Sequence, residues 1–206
     1  LPQAETGPAV ILLHAWWGLT EFFVALANRL AEEGFVVYAP DLYNGETANT
    51  IEEAQALNGQ YENEASIDAM IAKLDAAVDG LKAHPAVSSA DIGVVGFSMG
   101  ANWGLYLAHH RPDAIGAMVA FYGTYSGNLE NMRAAFQGHF AENDEFEPRE
   151  SIEALDQTLT EMNLEATFFV YEGTGHWFFF FFCNAYHAES ARLSWEWMVK
   201  FLHEKL

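Results

Sequence analysis

The chain has 206 residues, half of them apolar and 15% aromatic, which suits one domain with one core, residues 1–206, and excludes a disordered chain. Twenty-nine acidic residues against nine basic ones leave a formal charge of −20, which repels phosphate backbones and anionic membranes and excludes nucleic acid as a partner. One cysteine, Cys183, and no Cys/His cluster exclude an internal disulfide and give no sign of a zinc site.

Val10 to Leu13 is a short apolar run without helical period and reads as a buried strand. Phe23, Leu26, Ala27, Leu30 and Ala31 recur at helical spacing, and Gly34 ends that helix. Phe35 to Tyr38 is a second buried strand, stopped by Pro40. The polar stretch from Asn44 to about Glu64 reads as loop and short helix. Ile67, Met70, Ile71, Leu74, Val78 and Leu81 form a helical stripe. Asp91 to Val95 is a third strand, Met99 to His110 a helix, and Ile115 to Phe121 a fourth strand. Ala134 to His139 is the weakest strand, because of its polar content. Pro148 to Met162 reads as a helix with Pro148 in its first turn. Ala166 to Tyr171 is a strand, and Ala188, Ala191, Trp195, Met198 and Leu202 mark a last helix. Alternation of strands and helices predicts a mostly parallel sheet covered on both faces. Right-handed crossovers then gather the strand C-termini at one edge, where such sheets bind ligands. There is no signal-peptide pattern and no apolar run of membrane-spanning length. A cytoplasmic chain without membrane contact is expected.

Gly96-Phe97-Ser98-Met99-Gly100 matches G-x-S-x-G, after a strand and before a helix. A serine on such a sharp turn is held above the sheet edge, and the flanking glycines let neighbouring backbone approach. Its hydroxyl needs a base, which in this arrangement follows the acid in the chain. His176, in the loop after the last strand, has that position. His14 and His139, at strand ends, keep minor claims, while His84, His109, His110, His187 and His203 sit on or beside helices. The orienting acid is placed at Asp144, just after the fifth strand. Glu142 is the substitute if the loop is shifted, and Asp113 is the runner-up, at the wrong end of the sheet. Oxyanion donors are expected from the backbone N–H of Met99 and of Trp16, with Ala15 and Trp17 as alternatives to the latter.

These segments together resemble the dienelactone hydrolase family of the α/β-hydrolase superfamily along essentially the whole chain. The resemblance rests on Leu13-His14 to Gly18, Gly34 to Tyr43, the turn around Ser98, Phe121-Tyr122-Gly123, Asp144 to Pro148, and Gly173 to His176 with the closing helix. It implies a three-layer α/β sandwich and hydrolysis of a small ester or lactone without a cofactor. The spacing of Ser98, Asp144 and His176 matches the family's triad. The family usually has strands before the first one here, so the sheet is expected to lack those strands or to be smaller. The best-known members have a cysteine where Ser98 stands and a glutamate aligned with Ala15. They bind an anionic substrate with arginines, one of them at the position of Phe180. The loop from Tyr43 to Glu64 has no arginine or lysine. The reading is therefore a serine carboxylesterase for a neutral, fairly apolar ester, as a monomer or weak homodimer. A dienelactone-type lactonase, thioesterase or peptidase shares the acyl-transfer chemistry. A binding protein that kept the fold is the alternative of another class.

Trp17, Tyr43, Tyr122, Trp177 and Phe178 are candidates for the substrate pocket, and Trp103 is expected to pack under its helix. The run Phe178 to Phe182 has three readings: a hydrophobic wall beside His176, core packing, or a stretch not native to the chain.

Overall fold

The structure, a computed structural model, describes residues 1–2 and 5–206. Six strands form one sheet: β1 (Gly7–Leu13), β2 (Val36–Tyr38), β3 (Val87–Phe97), β4 (Ile115–Phe121), β5 (Ala135–Ala141) and β6 (Ala166–Tyr171). Their spatial order is β2-β1-β3-β4-β5-β6, and every neighbouring pair is parallel. The helices are α1 (Glu21–Glu32), α2 (Ile51–Gln60), α3 (Glu64–Lys82), α4 (Met99–His110), α5 (Arg149–Glu161) and α6 (Ala188–Lys205).

Adjacent residues of β3 show how the layers form. Gly93 leaves room for Leu202 of α6 and Leu206 just past its end, while a Cβ on Gly104 of α4 would meet Val94 and Met118. Successive strand residues face opposite sides, so α6 and α4 cover opposite faces. Around α6 gathers α1: Arg29 lies over the Trp195 ring at 3.6 Å. Beside α4 lies α3, joined through Arg111 to Asp75 and Asp79 at 3.1 and 2.9 Å. Between the layers, Ala9 to Leu13 of β1 are fully buried, which is why that strand reads as an unbroken apolar run.

Three elements differ from the expected ones. α2 is a full helix within the polar stretch, started by a capping box in which Thr50 and Glu53 satisfy each other's backbone N–H groups. β3 runs longer, because Val87 still pairs with Gly7 of β1, with a register shift before Ala9 pairs with Ile92. Pro148 stands at the N-cap of α5 rather than in its first turn, with extended ψ of 146°. The weak fifth strand is fully formed and nearly all buried. Its polar side chains satisfy one another: His139 Nε2 lies 3.0 Å from Gln137 Oε1, and His139 Nδ1 lies 2.8 Å from Tyr171 Oη. Among the described residues, no helix is long and apolar enough to cross a membrane.

Candidate active site

All strands being parallel, the segments that follow β1, β3, β4, β5 and β6 meet at one edge. They carry Trp16, Ser98, Tyr122, Asp144 and His176 respectively. Ser98 joins β3 to α4 with φ 53° and ψ −115°, in the left-handed region that a side chain rarely occupies. The neighbouring backbone leaves no alternative to glycine at either side. A Cβ on Gly96 would collide with the carbonyl oxygen of Gly100, and one on Gly100 would lie 2.6 Å from His14 O. Ser98 N–H donates to Phe121 O at 2.9 Å, and Ser98 O accepts from Ala101 N–H at 2.8 Å, so the turn is braced from both ends. Tyr122, at the end of β4, is a second non-glycine residue at positive φ, 38°. Such conformations persist only where surrounding structure imposes them, and they gather at functional sites.

His176 stands between serine and acid. Its Nε2 lies 3.0 Å from Ser98 Oγ, and its Nδ1 lies 2.8 Å from both oxygens of Asp144. Since a carboxylate only accepts, Nδ1 carries the proton, and Nε2 is left to accept from the serine hydroxyl. The His176 and Asp144 side chains are 4% and 3% exposed, so water competes little for this pair. Asp144 Oδ1 also accepts from the N–H groups of Phe146 and Glu147, each at 2.9 Å, which fixes the carboxylate plane. The two loops are tied together: Asn143 N–H donates to Thr174 O at 2.9 Å, and Gly173 N–H donates to Glu142 Oε2 at 2.8 Å. Glu142 thus clamps the histidine loop without facing the imidazole. Asp113 is paired with Arg111 and Lys82 at the far end of the sheet. Among the three candidate acids, only Asp144 is hydrogen-bonded to His176.

The two minor histidine candidates have other work. His14 is buried; its Nδ1 donates to Ala15 O at 2.7 Å and its Nε2 accepts from Leu42 N–H at 3.1 Å. Burial lowers its pKa to about 4. His139, also buried, is lowered to about 3 by the same cause. Both are held neutral, away from Ser98 chemistry. His187 caps α6, its ring Nδ1 accepting from Ser190 N–H at 3.3 Å.

Above Ser98 lies a cavity of about 410 Å³. Trp16 and Tyr122 line it, together with Ser98, Met99 and His176. Met99 is the first residue of α4, where backbone N–H groups lack partners within the helix. The other pocket candidates lie behind this wall. Tyr43 is fully buried, stacked on Tyr61 at 4.5 Å, with its hydroxyl donating to Asn58 Oδ1 at 2.9 Å. Phe178 is fully buried between Tyr122 and Tyr171. Trp177 stacks on Trp16 at 5.8 Å, and Trp17 packs edge-on against both. These four are supports of the cavity, because the rings in front of them take the surface. Trp103 faces the cavity instead of packing under α4. The residues missed by sequence reading come mainly from α2, α3 and the turn between them: Asn58, Tyr61, Glu62, Ile67 and Met70, with Phe146 and Glu147 from the acid loop. The capping box at Thr50 was the available signal for the first three.

The phenylalanine run divides. Phe178, Phe179 and Phe180 are buried, whereas Phe181 and Phe182 are 69% and 54% exposed and pack around Phe22. None of the five lines the cavity.

Residues 1–206 match the dienelactone hydrolase family. The chain belongs to that family. It is a hydrolase of ester bonds by class, and its fold is the α/β-hydrolase fold. Protein usf of Aquifex pyrophilus is 33% identical over 179 residues, which cover 84% of this chain and 77% of that protein. A dienelactone hydrolase-like promiscuous phosphotriesterase from metagenomic libraries superposes with a TM-score of 0.84 at 21% identity, over 97% of this chain and 87% of its own. Dienelactone hydrolase from Anabaena variabilis gives a TM-score of 0.70 at 15% identity, over 100% and 89% of the two chains. At such identities the two structures are similar in fold alone. Within the dienelactone hydrolase frame, Ala15 and Phe180 are both fully buried here, so neither position offers a charged group to the cavity.

Proposed function

We propose that the chain is a serine carboxylesterase that works through an acyl-enzyme on Ser98. The observation that carries this reading is the relay in which His176 Nε2 lies 3.0 Å from Ser98 Oγ while Nδ1 faces Asp144. His176 takes the hydroxyl proton as Ser98 Oγ attacks the ester carbonyl carbon. The backbone N–H groups of Met99 and Trp16 receive the developing oxyanion. The alcohol leaves with the proton from His176. Water then attacks the acyl-enzyme, His176 again taking its proton and returning it to Ser98 Oγ. Asp144 holds the tautomer and stabilises the imidazolium between these transfers.

The substrate in this reading is a small ester without a carboxylate. No arginine or lysine lines the cavity among the described residues, and a carboxylate there would lack a charge-assisted partner. The apolar surfaces of Trp16, Met70 and Phe146 suit an uncharged acyl or alcohol chain. Ser98→Ala tests the reading on short-chain aryl esters. Hydrolysis should fall by on the order of 10⁴-fold or more, with the circular dichroism of the folded protein unchanged. Full activity in the variant would sink it.

A further inference from the structure

The cavity beside Ser98 is unbalanced in charge. Glu62 and Glu147 are among its lining residues, and among the described residues no lysine or arginine is, His176 being the catalytic base. The nearest cations by chain position are engaged elsewhere. Lys73, one turn past Met70, donates to Asp41 O at 2.6 Å and Asn44 Oδ1 at 2.7 Å. Arg149, two residues past Glu147, pairs with Glu153 at 2.8 Å.

Glu147 is held in place rather than neutralised. Its two oxygens accept from Thr124 N–H at 2.9 Å and Thr124 Oγ1–H at 2.8 Å. A carboxylate offers about four acceptor positions, so roughly half remain open. Burial raises its pKa above the usual carboxylate range, against the lowering effect of Thr124. A positive ligand group beside it would favour the ionised form. Glu62 is steadied by Asn58 Nδ2–H at 2.6 Å. The same cavity is lined by the rings of Trp16, Tyr61, Trp103 and Phe146. Aromatic faces attract a cation within about 6 Å and are indifferent or repulsive to an anion. The formal charge of −20 also steers cations toward the molecule.

We propose that the site selects esters bearing a cationic amine, quaternary or protonated, which Glu62 and Glu147 and the surrounding rings receive while the ester carbonyl lies at Ser98. The inference rests on the serine-esterase reading and sharpens its substrate: an uncharged ester is tolerated, a positively charged one preferred. Glu62 and Glu147 are the specificity-determining residues.

Three butyrate esters of one shape test it. They are 3,3-dimethylbutyl butyrate, its isostere butyrylcholine, and an ester of similar length ending in a carboxylate. At low ionic strength kcat/KM should be highest for the cation, exceeding the neutral isostere by about tenfold, and lowest for the anion. Salt should shrink the preference. Glu147→Gln and the more exposed Glu62→Gln should each lower the cation-to-neutral ratio. An activity-free arm uses Ser98→Ala protein, with phenyltrimethylammonium or benzoate titrated against tryptophan fluorescence. Saturable quenching by the cation alone supports the inference. Equal response to both ions, equal turnover of the cationic and neutral esters, or an unmoved ratio in both glutamine variants overturns it and leaves the esterase reading intact. No turnover of any ester, with Ser98 inert to fluorophosphonate, overturns the esterase reading together with the inference.

Discussion

Asp144 does three things with one carboxylate. It faces His176 Nδ1 with both oxygens, accepts two backbone N–H groups of its own loop, and sits with 3% of its side chain exposed. The first keeps the proton off Nε2. The other two keep the carboxylate from rotating away. Asp144→Asn would preserve the size of the side chain while letting an amide N–H face Nδ1, which favours the tautomer with its proton on Nε2. Ester hydrolysis should then drop in kcat by on the order of 10⁴-fold while thermal unfolding stays close to that of the parent. A loss of less than about tenfold would show that Asp144 does not set the tautomer. Ser98 and His176 were readable from motif and chain order alone. Asp144 was readable only against Glu142 and Asp113, since three acids near strand ends look alike in sequence. What separates them is where each points. Glu142 reaches Gly173 N–H and Asp113 reaches Arg111, and neither orientation is written in the residue type.

At the level of elements, every strand and helix expected from periodicity is present, with ends moved by a few residues. The apolar runs of β1 and β4 were legible because burial on both faces leaves no polar positions. The polar residues that made β5 look doubtful are paired in the interior, His139 with Gln137 and Tyr171. The polarity of one strand cannot reveal a partner on the next. The pocket wall was the least legible part. Aromatic residues near the motifs seemed the natural lining, yet Tyr43, Trp177 and Phe178 are backing and Tyr61, Trp103 and Phe146 are surface. Composition does not distinguish the front ring of a stacked pair from the one behind it. Where the stretch after Tyr43 read as loop and short helix, α2 and the start of α3 form one side of the cavity. The substrate expectation therefore moved from apolar and neutral toward a charge class that only the assembled wall displays.

Across the whole molecule, two buried histidines couple stability to pH. His14 links the loop carrying Trp16 to Leu42, and His139 lies on β5 between β4 and β6. Burial lowers their pKa values from 6.5 to about 4 and about 3. The unfolded chain therefore binds protons that the folded chain refuses as pH falls below about 6.5. Their contribution is fully present above that value and is lost progressively as pH falls toward the folded pKa values. Between about pH 6.5 and 5 each histidine should remove roughly 2 kcal/mol, a large share of the 5–15 kcal/mol typical of a folded domain. Urea midpoints measured at those two pH values should fall on the acid side without a change in slope. A midpoint that stays level or rises would mean that the histidines are not held neutral.

Covalent labelling tests the central claim most directly. A fluorophosphonate offered to the native protein should leave one phosphonyl adduct, and peptide mapping should place it on Ser98 in the peptide containing Gly96 to Gly100. The Ser98→Ala protein should take none. An unlabelled native protein, or an adduct on another residue, would contradict the assignment of Ser98 as the nucleophile.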